Sequence, residues 1–208
     1  MTLIDMPREH DWILYAPYSD KTLMRNILSF DLGRQLGNYQ CRGRFVELYI
    51  NDDYRGVYVL LERIKRDPNR VNVIPMDPSD TSGVDLTGGY IVKIDRFNTL
   101  KEGWYSPYTL IPRIKLGMGY VFPKPEDITI QQKNYIKSRF AEFEENLLSE
   151  EFDDPLTGYT NYIDVNSFID LMIMNELIHN IDSYRLSTFF IRIVIYLEEK
   201  FCRTIVGL

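Results

Sequence analysis

The sequence predicts an α+β chain in which the strands come first and the long helices last. Three observations carry this. Phe45-Val46-Glu47-Leu48-Tyr49-Ile50 and Val57-Tyr58-Val59-Leu60-Leu61-Glu62 are β-prone runs on either side of a turn-forming stretch. Gly89-Tyr90-Ile91-Val92-Lys93-Ile94-Asp95 is a third such run. After Pro123-Lys124-Pro125-Glu126-Asp127 the apolar spacing becomes helical, with Ile136, Phe140, Phe143 and Leu147 on one stripe. At 208 residues the chain suits one domain or a large piece of one. Residues 1–122 form its β-rich part, 123–190 its helical part and 191–208 a tail of different character.

Taken in order, Trp12-Ile13-Leu14-Tyr15 is a short strand. A helix follows between a cap at Ser19 or Asp20 and a stop at Gly37. Its apolar face is read as Leu28, Leu32 and Leu36 with Met24 and Ile27, which would bury Leu28. Asn51-Asp52-Asp53-Tyr54-Arg55-Gly56 is turn chemistry and predicts a hairpin with a longer loop. Residues 63–70 are a basic connector, and 71–88 read as loop. Within the third strand, Lys93 is either a snorkelling edge residue or a site residue. Residues 108–115 and 120–122 are weaker strands, and Gly117-Met118-Gly119 between them reads as a turn. Beyond the long helix, Asp164 caps a second one. Phe168, Leu171, Met172, Ile173, Met174, Leu177 and Ile178 cover most of its circumference, which predicts a central position with Phe168 and Met172 buried, as Phe140 would be.

The net charge is −6, which argues against a nucleic-acid backbone as the main partner. Cys41 and Cys202 have no metal or redox spacing and read as incidental thiols. The first residues lack the basic start and apolar core of a secretory signal. No apolar run approaches the length of a membrane span; 189–197 is too short and carries Arg192.

The apolar helix ends in a polar knot holding Asn180, Asp182 and Arg185, after which an aromatic, β-branched run departs. A carboxylate on a loop braced by a helix and a strand is a common way to position chemistry. The alternative is a turn in which Asp182 satisfies loose backbone donors. His179 reads as a helix-terminus cation or a packed ring.

In its Asn-x-Asp-x-Tyr context this loop resembles the catalytic loop of the spore-coat CotH kinase family, a group of atypical protein kinases. The resemblance extends to Asp11-Trp12-Ile13-Leu14 with Arg25-Asn26, to Asn51-Asp52-Asp53-Tyr54-Arg55-Gly56-Val57-Tyr58 with Glu62, and to Gly88-Gly89-Tyr90-Ile91-Val92-Lys93. Pro123-Lys124-Pro125 and Tyr162-Ile163-Asp164 also fit. These motifs are weak singly and specific in this order and spacing.

The resemblance implies an atypical protein-kinase-like architecture, incomplete here, with a β-rich lobe, a helical lobe and ATP between them. It implies transfer of the γ-phosphate to Ser or Thr of a protein, with Asp182 orienting the attacking hydroxyl. Glu62, near the adenine edge, and Lys93 would line the nucleotide. Glu62 is otherwise an ordinary salt bridge to Arg63, Lys65 or Arg66. The metal-binding Asn that many kinases carry five residues after the Asp is Ser187 here, a weaker ligand for Mg2+. The strand of basic residues that relatives carry upstream, and their downstream Trp-Asp metal motif, are not found. An impaired enzyme is therefore expected. The alternative is a non-catalytic binding module of a spore coat or cell surface, the settings the family suggests.

The resemblance stops in the tail. Degenerate codons for Cys202-Arg203-Thr204-Ile205-Val206-Gly207-Leu208, read one nucleotide later, allow Ala-Gly-Pro-Leu-Trp-Asp. A second offset near Ile191 allows Lys-Asp-Arg. The tail is therefore read as out of frame, the alternative being one more strand through 189–197.

Overall fold

The computed structural model describes residues 3–111, 114–192 and 203–206. Helices and antiparallel sheets make an α+β fold, as the sequence predicts. Strand β1 (Trp12–Tyr15) is followed by α1 (Arg25–Gln35), β2 (Gly43–Ile50) and β3 (Asp53–Glu62). A short α2 (Gly83–Leu86) precedes β4 (Ile91–Ile94), β5 (Gly103–Ile111) and β6 (Ile114–Phe122). Then come α3 (Ile130–Leu147), α4 (Val165–Leu177), β7 (Thr188–Ile191) and β8 (Arg203–Val206). Two sheets result, one ordered β1-β3-β2 and one ordered β5-β6-β4-β7-β8.

The β2–β3 hairpin forms where its pattern places it, but its turn is tighter than the longer loop expected. Asn51 and Asp52 alone connect the strands, both at positive φ (51° and 63°). Such a two-residue turn matches the right-handed twist of its strands. Gly56, at φ 102°, belongs to a β-bulge opposite Leu48 and Tyr49.

Gly117-Met118-Gly119 is not a turn but the interior of β6. A Cβ at Gly117 would stand 2.6 Å from the Asp95 carbonyl oxygen, and one at Gly119 would touch the Lys93 side chain at 3.4 Å. These glycines mark close approach of a neighbour within a strand. Lys93 is not at an edge either, because β4 lies between β6 and β7.

Strand β4 separates two cores by its alternation. Val92 and Ile94 join Trp104, Met118, Ile136, Phe140 and Phe190 under the helices. Ile91 joins Phe30, Val59, Leu61 and Ile191 on the side of the three-stranded sheet. Thr129 and Gln132 start α3 with a reciprocal capping box, and Asp164 caps α4 by accepting from Ser167 N.

Two helical phases differ from the expectation. In α1 the buried residues are Ser29, Phe30 and Gly33, whereas Leu28 is 52 % exposed. Ile27 is the leucine stripe's neighbour that reaches the sheet, at the Gly43 backbone that a Cβ would obstruct. In α4, Leu171, Met174 and Asn175 are buried and Phe168 packs on the core, but Met172 is 52 % exposed, and Ile169, Ile173 and Leu177 are exposed too. The helix lies on the sheet by one face instead of running through a core. Asp20 does cap α1 in effect: its Oδ2 accepts from Arg25 N at 2.8 Å, although it precedes the helix by several residues.

The strand expected over 189–197 is observed as Thr188–Ile191, and 193–197 lie outside the described residues. So does most of the tail read as out of frame; its residues 203–206 pair antiparallel with β7. No helix among the described residues is long and apolar enough to cross a membrane.

Candidate functional site

A cleft of about 1000 Å3 opens between the two sheets. One wall is the end of β3 and the connector after it, including Glu62, Arg63, Lys65 and Arg66. The facing wall is β4, β6 and the start of β7, including Lys93, Gly119, Ser187 and Phe189. Of the residues singled out in the sequence, the fold thus brings Glu62, Lys93 and Ser187 to one cavity. Asp182 is not among its lining residues.

Charge distinguishes this cavity. Six cationic side chains line it (Arg63, Lys65, Arg66, Lys93, Arg96 and Lys124) against four carboxylates, in a chain whose net charge is −6. Three of the four carboxylates, Asp11, Glu62 and Glu102, accept hydrogen bonds. Asp11 accepts from Lys65, whose ammonium also lies 3.3 Å from Glu9. That hydrogen bond holds the Asp11 carboxyl below the usual carboxylate range. Glu102 accepts from Asn98 N and Thr99 Oγ1, and Glu126 lies 4.0 Å from Lys124. Lys93 pairs with Asp95 at 3.1 Å. Arg63, Arg66 and Arg96 have no carboxylate oxygen within 4.0 Å among the described residues, although the Arg63 charge acts on Asp11 from farther away.

Glu62 is 1 % exposed and is bound from several sides. Arg42 donates to it from Nε at 3.0 Å, from Nη2 at 2.7 Å and from its backbone N at 3.0 Å. Tyr39 Oη donates at 3.4 Å, and Arg70 Nε lies 3.6 Å away. A buried carboxyl group needs donors of this kind to replace the hydrogen bonds it would make with water. Its salt-bridge partners are Arg42 and Arg70, not Arg63, Lys65 or Arg66.

The Asp182 loop is built by the end of α4. His179 takes the left-handed conformation at φ 49°, with His179 N donating to Glu176 O and Asn180 N to Asn175 O. This pair of bonds is a Schellman ending, here without glycine. Asn180 Nδ2 donates to Asn175 Oδ1 at 3.1 Å, and Asp182 N donates to Asn180 Oδ1 at 3.2 Å. Tyr184 Oη ties the loop back to Glu176 at 3.0 Å. The Asp182 carboxylate is half exposed and accepts from Arg185 Nη2 at 3.0 Å. Ser187, at φ 52°, turns the chain into β7 at the cleft.

The cations fit a polyphosphate, which carries several negative charges and is bound where guanidinium and ammonium groups converge. The donors do not fit Mg2+ in the same way. That ion is held by one or two carboxylates besides phosphate, whereas the cleft offers the Ser187 hydroxyl and, of its carboxylates, only Glu126 accepts no hydrogen bond among the described residues. Glu9, His10 and Asp11 have metal-like spacing, but the Lys65 ammonium occupies the position between the two carboxylates.

Arg63, Lys65, Arg66, Arg96 and Lys124 are cleft residues that the sequence did not mark as site residues. The signal was present in the basic connector that directly follows β3.

The α+β fold thus sets a cation-lined cleft between its two sheets and a capped loop carrying Asp182 at the end of α4. The family model described as CotH kinase protein matches residues 4–193, and the chain belongs to the CotH kinase family. No curated protein matches it.

Proposed function

We propose that the cleft binds ATP and that the chain is a CotH-type kinase whose reaction moves the γ-phosphate to a Ser or Thr hydroxyl of a protein substrate, in an impaired form. The excess of cations in the cleft carries this reading, together with membership of a family described as kinases. Arg63, Arg66, Arg96 and Lys93 would offset the phosphate charge, and Glu62 belongs to the wall on which the nucleotide lies. Asp182 would orient the substrate hydroxyl, as the loop aspartate of protein kinases does. Impairment follows from the donor set. Phosphoryl transfer depends on charge stabilisation of the moving group, and among the described cleft residues only Glu126, 4.0 Å from Lys124, accompanies Ser187 without accepting a hydrogen bond.

A second reading is a non-catalytic binding module of a coat or cell surface. Phe45, Tyr49, Ile50 and Tyr54 are all exposed on the β2–β3 hairpin, and such apolar and aromatic groups suit a contact surface. Titration calorimetry with ATP, with and without Mg2+, and transfer of labelled phosphate to a Ser/Thr-containing protein separate the two. Binding with slow or no transfer is the expected outcome. Absence of any ATP binding removes the kinase reading and leaves the surface module.

A further inference from the structure

We infer that Glu62 acts on the cleft without touching its ligand: with Arg70 it forms a buried strut that fixes the connector after β3, so that Arg63 and Arg66 face the anionic end of the bound molecule. The inference rests on the reading of the cleft as a nucleotide site.

The geometry is specific. Glu62 is the last residue of β3, and the cleft cations Arg63, Lys65 and Arg66 follow immediately. Nothing in a connector of that composition favours the cations gathering on one wall, because they repel one another. Arg70 supplies the restraint. Its guanidinium is 2 % exposed and bridges three segments. Nε lies 3.6 Å from Glu62 Oε1, Nη1 donates to the Arg63 carbonyl oxygen at 2.8 Å, and Nη2 donates to the Asp11 carbonyl oxygen at 3.0 Å. The Arg70 guanidinium also lies over the Trp12 ring, 5.2 Å from its centroid. Arg42 completes the knot, reaching both Glu62 and the Asn69 carbonyl oxygen. The loop from 63 to 70 is thereby closed at both ends on one carboxylate. Bonds from Asp67 N to Val71 O and from Val71 N to Lys65 O close it from within.

The consequence for binding is selective. A contact from Glu62 to the base edge would affect adenosine and ATP alike. A strut that places arginines would affect only the ligand that carries phosphates.

The test uses the full chain and two probes, ATP and adenosine, with affinity and thermal melting measured for each variant. Replacing Arg63 and Arg66 together by Gln should weaken ATP by about tenfold or more, the loss expected for one or two charge-assisted hydrogen bonds, and leave adenosine unchanged. Glu62→Gln should reproduce that pattern: a lower ratio of ATP to adenosine affinity. Arg70→Lys, which keeps the charge and loses the fork, should lower the ratio as well and serves if Glu62→Gln does not fold. An equal loss of ATP and adenosine in Glu62→Gln overturns the inference in favour of direct contact with the base. A lower melting temperature with an unchanged ratio in both strut variants overturns it in favour of a purely structural role. A native chain that binds no ATP removes the nucleotide reading itself, and the inference with it.

Discussion

Arg185 donates from Nη2 to Asp182 Oδ1 at 3.0 Å, so the carboxylate that the family resemblance makes catalytic is held by a cation three residues along the same loop. Both side chains are about half exposed. An ion pair in that setting contributes little to folding. Asp182→Asn should therefore change unfolding free energy by no more than about 1 kcal/mol while abolishing any phosphate transfer the chain performs. Denaturant titration and labelled-phosphate transfer on the same preparation decide it. Full retention of transfer removes Asp182 from the mechanism, and loss of the folded state assigns it to the turn alone.

The helical part offers a paired prediction. Phe140 is 2 % exposed and stacks edge-on against Trp104 and Phe190, with centroid separations of 5.6 Å. Phe140→Ala should cost about 3–5 kcal/mol through lost transfer energy and the cavity left behind. Met172→Ala, at a 52 % exposed position, should stay within about 0.5 kcal/mol of the parent. Equal losses in the two variants would mean that the outer face of α4 is covered in solution.

These two residues also show where sequence reasoning works and where it stops. Phe140 lies on a stripe with a polar opposite face, so its phase is unambiguous. The α4 sequence is apolar on nearly every side, and periodicity cannot say which side meets the sheet. Leu28 fails for a related reason: of the face read as Leu28, Leu32 and Leu36 with Met24 and Ile27, the Ile27 edge meets the flat backbone at Gly43, which turns Phe30 inward and Leu28 out. Strands read well where β-branched residues alternate, as in β3 and β4. They read poorly in β6, where Gly117 and Gly119 serve close packing and mimic a turn. For the cleft, motif resemblance marked Glu62, Lys93 and Ser187. Arg63 and Arg66 were invisible as site residues because only the β3 connector's path brings them opposite β4.

Cys41 should be chemically silent in the folded chain. It is 5 % exposed, and burial, with the Glu62 charge as a second cause, pushes its thiol up to about 12. At pH 8 such a thiol has roughly a thousandfold less thiolate than an ordinary one near 8.5. In a Cys202→Ser chain, iodoacetamide should therefore modify Cys41 only after denaturant is added. Rapid alkylation of the native chain would show that the packing around Cys41 opens.

The pH dependence of stability should carry a signature of Glu144. Its Oε1 accepts from Ser106 Oγ at 2.6 Å, and Ser106 is 3 % exposed on β5. Burial raises the Glu144 carboxyl above its ordinary value near 4.5, and the serine hydrogen bond only partly opposes this. The folded chain thus holds this proton more tightly than the unfolded one. Between the ordinary value and the raised one the folded state binds more protons, so this group's contribution to stability falls as pH rises through the range just above 4.5. Below that range both states are protonated and the contribution no longer changes. Asp20, Asp77 and Asp154 act in the opposite sense, because hydrogen bonds to their carboxylates lower their values, so the total profile mixes both. The comparison that isolates Glu144 is with Glu144→Gln, which keeps an acceptor for Ser106 and removes the titration. Denaturant melts of the two chains from pH 4 to pH 7 should show the variant gaining relative to the parent as pH rises, then levelling off. A difference that stays constant across the series would mean that Glu144 is solvated in the folded chain.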